Sequence, residues 1–321
     1  RARASVVSRR ATDVAKTAVQ LGGLGTVSDL PKTEALGIEL RATSALAAPV
    51  SAIDGSFTEE PHRIRFVLGE DPLENQKIVA ETLLSLVEKF SGKAVLGCSI
   101  TREVSLKMGA KGENFTSLEK FVGELVAETL VKKVKFTHTV MDTIAAGYYE
   151  LVWGSSANPD FWAGKVILVV TLGQNIGACL FNDGRRVVNH PLNVLAFGNP
   201  SWNTGQKKWQ PPEPDTADFD DWSGRVDEEL SHMIQAVSTI DHVVIVPTGR
   251  SSNVGGGCIA EALLPKLPIC AKLTDKLKCD MSVIRSEEGS VVRGVALCSL
   301  VELERSQVLK SLEDVLQHGQ A

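Results

Sequence analysis

Apolar positions along the chain switch repeatedly between alternation or short solid runs, which suit strands, and three- and four-residue spacing, which suits helices. The stretch "LGIELRATSALAAPVSAI" from Leu36 reads strand, turn, strand, and "EPHRIRFVLG" adds an extended run before Glu70 and Asp71. "DPLENQKIVAETLLSLVEKFSG" opens on Asp-Pro, carries helical spacing and stops at Gly92, an amphipathic helix of about five turns. "KAVLGCSI" follows as a short buried strand. "TSLEKFVGELVAETL" is a second helix, whose capping-box spacing from Thr116 or Ser117 to Glu119 or Lys120 is imperfect. "KVKFTHTV" is the next strand, and a third helix follows Asp142.

The second half repeats this grammar. "KVILVVTLG" and "GACLFNDGRRVVN" read as strands around a tight turn, with "NDG" a second turn signal. Residues 198–222, "GNPSWNTGQKKWQPPEPDTADFDDW", have no period and are expected to form a long surface loop packed by Trp202, Trp209 and Trp222. "VDEELSHMIQAVSTI" is a helix, "DHVVIVPTG" a buried strand, "GCIAEALLPKL" a helix, and "SVVRGVALCSLVELERSQVLKSLEDVLQ" closes the chain in mostly helical form. Two halves that each open with a hairpin argue an α/β protein of two similar lobes with a cleft between them. The expected divisions are a tail over 1–34, an N-terminal lobe over 35–140, a C-terminal lobe over 141–300 and a terminal helix over 301–321.

Composition narrows the function classes. With 321 residues, 43% of them hydrophobic, the chain can bury large cores, and its net charge of −5 without a basic face gives no indication of nucleic acid. The longest apolar run, near "KVILVVTLG", is far short of the roughly 20 residues of a membrane helix. Cysteines at 98, 179, 258, 270, 279 and 298 form no CxxC pair and mostly sit in apolar runs, so they read as buried reduced thiols. The N-terminal "RARASVVSRR" has the Arg-, Ser- and Ala-rich composition of an organelle transit remnant, with a basic disordered tail as the other reading.

Five segments in order resemble the ROK (repressor, open reading frame, kinase) sugar kinases, most closely their polyphosphate glucokinase branch. "GIELRATSALAAPV" (37–50) lies beside the family hairpin GIDIGGTxIKGAPV, and "VTLGQNIGACLFNDG" (170–184) beside LTLGTGIGSALFVDG. "MDTIAAGYYELVWG" (141–154) resembles NDADAAGLAExxFG, "VVIVPTG" (243–249) resembles IILGGG, and "SVVRGVAL" (290–297) resembles GIVGAAL. The resemblance covers about residues 36–300. It implies an actin-like ATPase (ribonuclease H-like) fold of two lobes, with sugar bound between them and a phosphoryl donor, ATP or polyphosphate with magnesium, held by the two hairpins.

The residues that would carry this chemistry are altered together. Phosphate hairpins use glycine so that backbone N–H groups approach the oxygens, yet Arg41 and Ala42 replace two of them. Thr43 survives, Glu39 stands for the family's aspartate, and Leu46 stands for its lysine. Arg41 could substitute a charged fork for the lost cradle; the other reading is a hairpin kept only for the sheet. The second hairpin keeps Thr171, Gly173 and Gly177 but carries Gln174 and Asn175 for Thr-Gly, and Gly249 alone remains of the adenosine-side glycines. Downstream, the glycines of "NVGGGCIAEALL" (253–264) open a helix, as a flexible loop or a phosphate cradle. Asp142 falls on the family's general base, although an Asp before a helix is equally an N-cap. Met141 replaces a sugar-binding Asn. Pro191 and Val194 stand where a Glu and a His would bind sugar hydroxyls, His190 lies about four residues too early, and "GCSITRE" (97–103) lacks the family's sugar-loop glycine and proline.

These substitutions imply a catalytically degenerate protein without cofactor, a structural or regulatory subunit in the chloroplast stroma, the mitochondrion being the second choice. Protein partners in an organelle complex are expected at the Trp-rich loop, with a homodimer possible. The alternative is an active hexose kinase with Asp142 as general base and Arg41, Thr43, Thr171 and Gly173 at the phosphates, using ATP or polyphosphate with magnesium.

Overall fold

The computed structural model describes residues 34–111, 115–154, 162–172, 176–188, 212, 214–237, 239–247, 259–284 and 289–318. The chain divides into two compact units, one formed by 1–159 together with 291–321 and the other by 160–290.

In the first unit, β1 (Ala35–Arg41), β2 (Ser44–Val50), β3 (His62–Arg65), β4 (Val95–Ile100) and β5 (Phe136–Met141) form one sheet in the order β3-β2-β1-β4-β5. β1, β2 and β3 are antiparallel neighbours, while β4 and β5 run parallel to β1. Parallel neighbours need crossovers, supplied here by α1 (Pro72–Lys89), α2 (Arg102–Lys107) and α3 (Phe115–Leu130). α1 starts where Asp-Pro predicts: Asp71 is the N-cap and its carboxylate accepts from the Leu73 N–H. α3 buries Leu118, Val122, Val126 and Leu130, a stripe of four-residue period. α4 (Asp142–Val152) follows β5 without a linker.

The second unit repeats the plan. β6 (Val166–Leu172), β7 (Ile176–Asn182), β8 (Arg185–Arg186), β9 (His242–Pro247) and β10 (Asp280–Val283) form a sheet in the order β10-β9-β6-β7-β8. Here too a hairpin strand, β6, pairs with a parallel strand, β9, and the sheet continues to a second parallel strand, β10. "NDG" makes its turn with Asp183 and Gly184 both at positive φ, as a two-residue hairpin turn requires. α5 (Ala217–Ala236) and α7 (Pro268–Leu277) flank this sheet, and Phe219, Trp222, Val226, Leu230 and Met233 of α5 join Leu168, Val170 and Leu172 of β6 in one core.

Several sequence expectations shift. Residues 217–222 are the first turns of α5, capped by the Thr216 hydroxyl, and Trp222 is fully buried, so the long loop ends earlier and loses one of its three tryptophans. Trp202 and Trp209 lie outside the described residues. "GCIAEALLPKL" breaks up: α6 (Ile259–Leu263) gives way to a 3-10 turn at Leu264–Lys266, and α7 starts anew at Pro268. α2 occupies part of "GCSITRE", with the Thr101 hydroxyl accepting from the Val104 N–H. The last helix, α8 (Ser290–His318), is continuous. It counts from Val291 with the first unit, as does α4, so the division falls after Pro159 and not at 140. The physical reason is packing: Val292, Ala296 and Leu300 of α8 share a core with Ala35, Leu46, Ala48, Val50 and Val95.

All five described cysteines, 98, 179, 270, 279 and 298, are buried and free. No helix among the described residues is long and apolar enough to cross a membrane.

Candidate functional site

The first unit builds its candidate site from a pair of glycines. Gly37 of β1 and Gly97 of β4 are direct partners in parallel register. A Cβ on Gly37 would sit 2.1 Å from the Val292 carbonyl oxygen, and one on Gly97 would sit 2.1 Å from that of Val295. The backbone of α8 therefore rests on the sheet through these two residues. Gly294, whose Cβ would lie 1.8 Å from the Ala145 oxygen, brings α8 equally close to α4. Two residues further along the same face comes the pair Glu39 and Ser99.

Strand alternation also places Arg41 on this face. It folds back on Glu39 in a bidentate fork, Nε donating to Oε1 at 2.8 Å and Nη2 to Oε2 at 2.9 Å. The Glu39 side chain is 5% exposed and that of Arg41 34%. Ser99 has zero exposure, and its hydroxyl has no hydrogen-bond partner among the described residues. The turn that follows contains only Ala42 and Thr43, with Arg41 paired to Ser44. Neither turn residue has positive φ. The Thr43 carbonyl accepts from the Phe66 N–H at 3.1 Å, tying the turn to the chain beyond β3, and its side chain is exposed.

Asp142 stands where β5 ends, and the C-terminal ends of parallel strands are where open α/β sheets bind ligands. The N-cap of α4 is Met141, not Asp142, and it makes no side-chain cap bond; its backbone N–H donates to Glu119 Oε1 at 2.9 Å. Asp142 is the first helical residue and accepts from the Thr143 N–H at 2.9 Å. The N-cap expectation thus moves by one residue, because β5 keeps Met141 in extended conformation. Asp142 retains a window to solvent, yet protein surrounds its carboxyl closely. Burial first, and then the Glu39 charge, push its pKa from 3.8 up to about 6, against the Thr143 N–H and the Arg41 guanidinium.

Glu39, Arg41, Thr43 and Asp142 thus all belong to the first unit, and three of them form one electrostatic cluster. Thr171 and Gly177 belong to the second, where they pair directly across β6 and β7, with Thr171 buried. Gly173, Gln174, Asn175, Gly249, His190, Pro191 and Val194, and the glycines at 255–257, lie outside the described residues. Leu46 belongs to the apolar core beneath α8. Sequence reasoning missed Ser99 as an individual, the Gly37–Gly97 pair and Glu119. The only signal was Gly97 and Ser99 inside "VLGCSI", and their meaning depends on register.

The magnesium ion that the resemblance implies finds no matching donor set. Glu39 gives both oxygens to Arg41, and among the described residues no group of three or more His, Cys, Asp or Glu side chains could hold a metal ion.

Two units that share one strand order, each with a hairpin beside parallel strands, define the actin-like ATPase (ribonuclease H-like) fold. Solved structures of ROK family proteins share this fold. The inorganic polyphosphate/ATP-glucomannokinase of Arthrobacter sp. strain KM matches 85% of this chain and 99% of its own, with TM-score 0.57 and 18% identity. The ROK family glucokinase of Streptomyces griseus, solved with glucose and AMPPNP, matches 83% and 99% with TM-score 0.50 and 10% identity. A ROK family transcriptional regulator, a homolog of the E. coli MLC protein, matches 85% and 80% with TM-score 0.55 and 11% identity. At these identities the likeness is one of fold. No protein-family model matches the sequence, and no curated protein matches it.

Proposed function

We propose that the chain is a catalytically degenerate ROK-type protein that acts as a structural or regulatory subunit, in the chloroplast stroma by the composition of its N-terminus. The observation that carries this reading is the Glu39–Arg41 fork. Where the resemblance places a glycine and a carboxylate free for magnesium or its water, this chain puts a guanidinium bonded to that carboxylate through two hydrogen bonds. Phosphoryl transfer works by positioning and by neutralising developing charge, and a carboxylate committed to an internal cation is poorly placed to organise a metal. The turn beside it offers no glycine. That this fold occurs in a transcriptional regulator as well as in kinases accords with a role outside catalysis. Its partners would be proteins of an organelle complex or a second copy of the chain.

One observation favours the second reading, an active hexose kinase. Asp142, at the end of a parallel strand with a pKa of about 6, is tuned for proton abstraction near neutral pH. In that reading Asp142 takes the proton of a sugar hydroxyl, and ATP or polyphosphate with magnesium supplies the phosphoryl group. A thermal-shift screen of the purified protein against ATP, polyphosphate, glucose and magnesium separates the two, because a ligand of the native state raises its apparent stability. The degenerate reading expects no shift with the complete set of kinase ligands; a shift of several degrees that needs donor and sugar together favours the kinase.

A further inference from the structure

We propose that Arg41 is the resident cation of a two-carboxylate site and holds divalent metal ions out of it. The inference deepens the degenerate-kinase reading and rests on its placement of the Glu39–Arg41 fork. The Glu39 charge acts on Asp142, and the Arg41 guanidinium that forks onto Glu39 acts on Asp142 as well. Two carboxylates against one guanidinium leave the cluster with a formal excess of negative charge, which disfavours an anion such as phosphate and favours a cation.

A second observation points to the same place. Ser99 sits beside Glu39 in parallel register and emerges on the same face, with zero exposure and a hydroxyl that has no hydrogen-bond partner among the described residues. A buried hydroxyl without a partner is unfavourable, and such atoms in folded proteins call for an explanation. Glu39, Asp142 and Ser99 offer hard oxygen atoms only, the donor type that selects Mg2+ or Mn2+ over softer ions. What separates this donor set from an ion is the side-on edge of one guanidinium. Its planar fork matches a carboxylate in both charge and shape, so an entering ion must break two charge-assisted hydrogen bonds before it gains Glu39. A residue at the last position of β1, two along from Glu39 on the same face, is placed for that fold-back; a glycine there has no side chain to make it.

Substitution of Arg41 should therefore open a divalent-cation site. The test is Mn2+ binding to the full chain, followed by electron paramagnetic resonance of the free ion, for the wild type, Arg41→Ala and the double variant Glu39→Gln/Arg41→Ala. The wild type is expected to show no site tighter than about 1 mM. Arg41→Ala should gain one site at least tenfold tighter, and the double variant should lose it. Arg41→Gln, which keeps two of the three stem methylenes but not the charge, should show the same gain and carries the test if Arg41→Ala lowers the melting temperature. Equal Mn2+ binding by wild type and Arg41→Ala would overturn the proposal. So would a folded Arg41→Ala without a gain, a gain that survives in the double variant, or the unfolding of both single variants, which would make the fork a folding element. Ion binding to the free chain is read separately from hexose phosphorylation, so failure here leaves the degenerate-kinase reading to its own assay.

Discussion

Asp142→Asn should stabilise this protein at neutral pH, an unusual direction for a substitution inside a sheet-and-helix junction. Folding pushes the Asp142 pKa from 3.8 up to about 6. At about 1.36 kcal/mol per pKa unit, ionised Asp142 costs the native state up to about 3 kcal/mol, and its window to solvent reduces this to between about 1 and 3 kcal/mol. The sign follows from proton binding. Between pH 3.8 and about 6 the native state holds the proton more tightly than the unfolded chain, so the stabilisation is fully present below 3.8 and is lost as pH rises through about 6. The amide of Asn does not titrate, and its oxygen can still accept from the Thr143 N–H. Urea unfolding of both proteins at half-unit steps from pH 4.5 to 8 should show a small difference at the acid end, growing in favour of Asp142→Asn to a plateau above about pH 6.5. A difference independent of pH, or a variant less stable than wild type at pH 7.5, would show that ionised Asp142 carries no burial penalty and is only a helix-start residue.

Three further substitutions test the packing around the site and in the second unit. Gly37→Ala forces a Cβ to within 2.1 Å of a backbone oxygen of α8 and should cost more than about 3 kcal/mol in urea unfolding, whereas Gly224→Ala, with no atom within 4 Å of the new Cβ, should be neutral or slightly stabilising. Equal effects would mean that α8 does not rest on the glycine pair. Asp227 is buried and accepts from the Ile269 and Cys270 N–H groups, both at 2.8 Å, at the start of α7. Asp227→Ala orphans both donors and should cost about 2–4 kcal/mol, with a loss below about 1 kcal/mol counting against that role.

Elements with a full local signature were legible in the sequence. α1 carried its Asp-Pro start and its Gly92 stop, β6 and β9 were solid β-branched runs, and "NDG" predicted a turn that Asp183 and Gly184 make at positive φ. Features that depend on tertiary placement were hidden. α2 is only six residues long, too short for a period to show. The Pro- and Trp-rich stretch concealed the start of α5 because its polar Asp residues outweighed Phe219 and Trp222, which face the core. The candidate site was half legible. The residues that replace family positions could be named, but no sequence pattern shows Arg41 folding back on Glu39 or places Ser99 beside it. The first follows from alternation along β1, the second from strand register, and the α4 N-cap falls on Met141 because β5 stays extended through it.

Under the proposed function, the fold that this chain shares with sugar kinases has outlived its chemistry. The most direct test of this reading is a coupled assay for hexose 6-phosphate formation by the purified chain with magnesium and either ATP or polyphosphate, run beside Asp142→Asn. No turnover above the level of that variant is expected with glucose or mannose. Turnover with either donor that disappears in Asp142→Asn, while the variant keeps or exceeds the wild-type melting temperature, would contradict it and establish an active kinase.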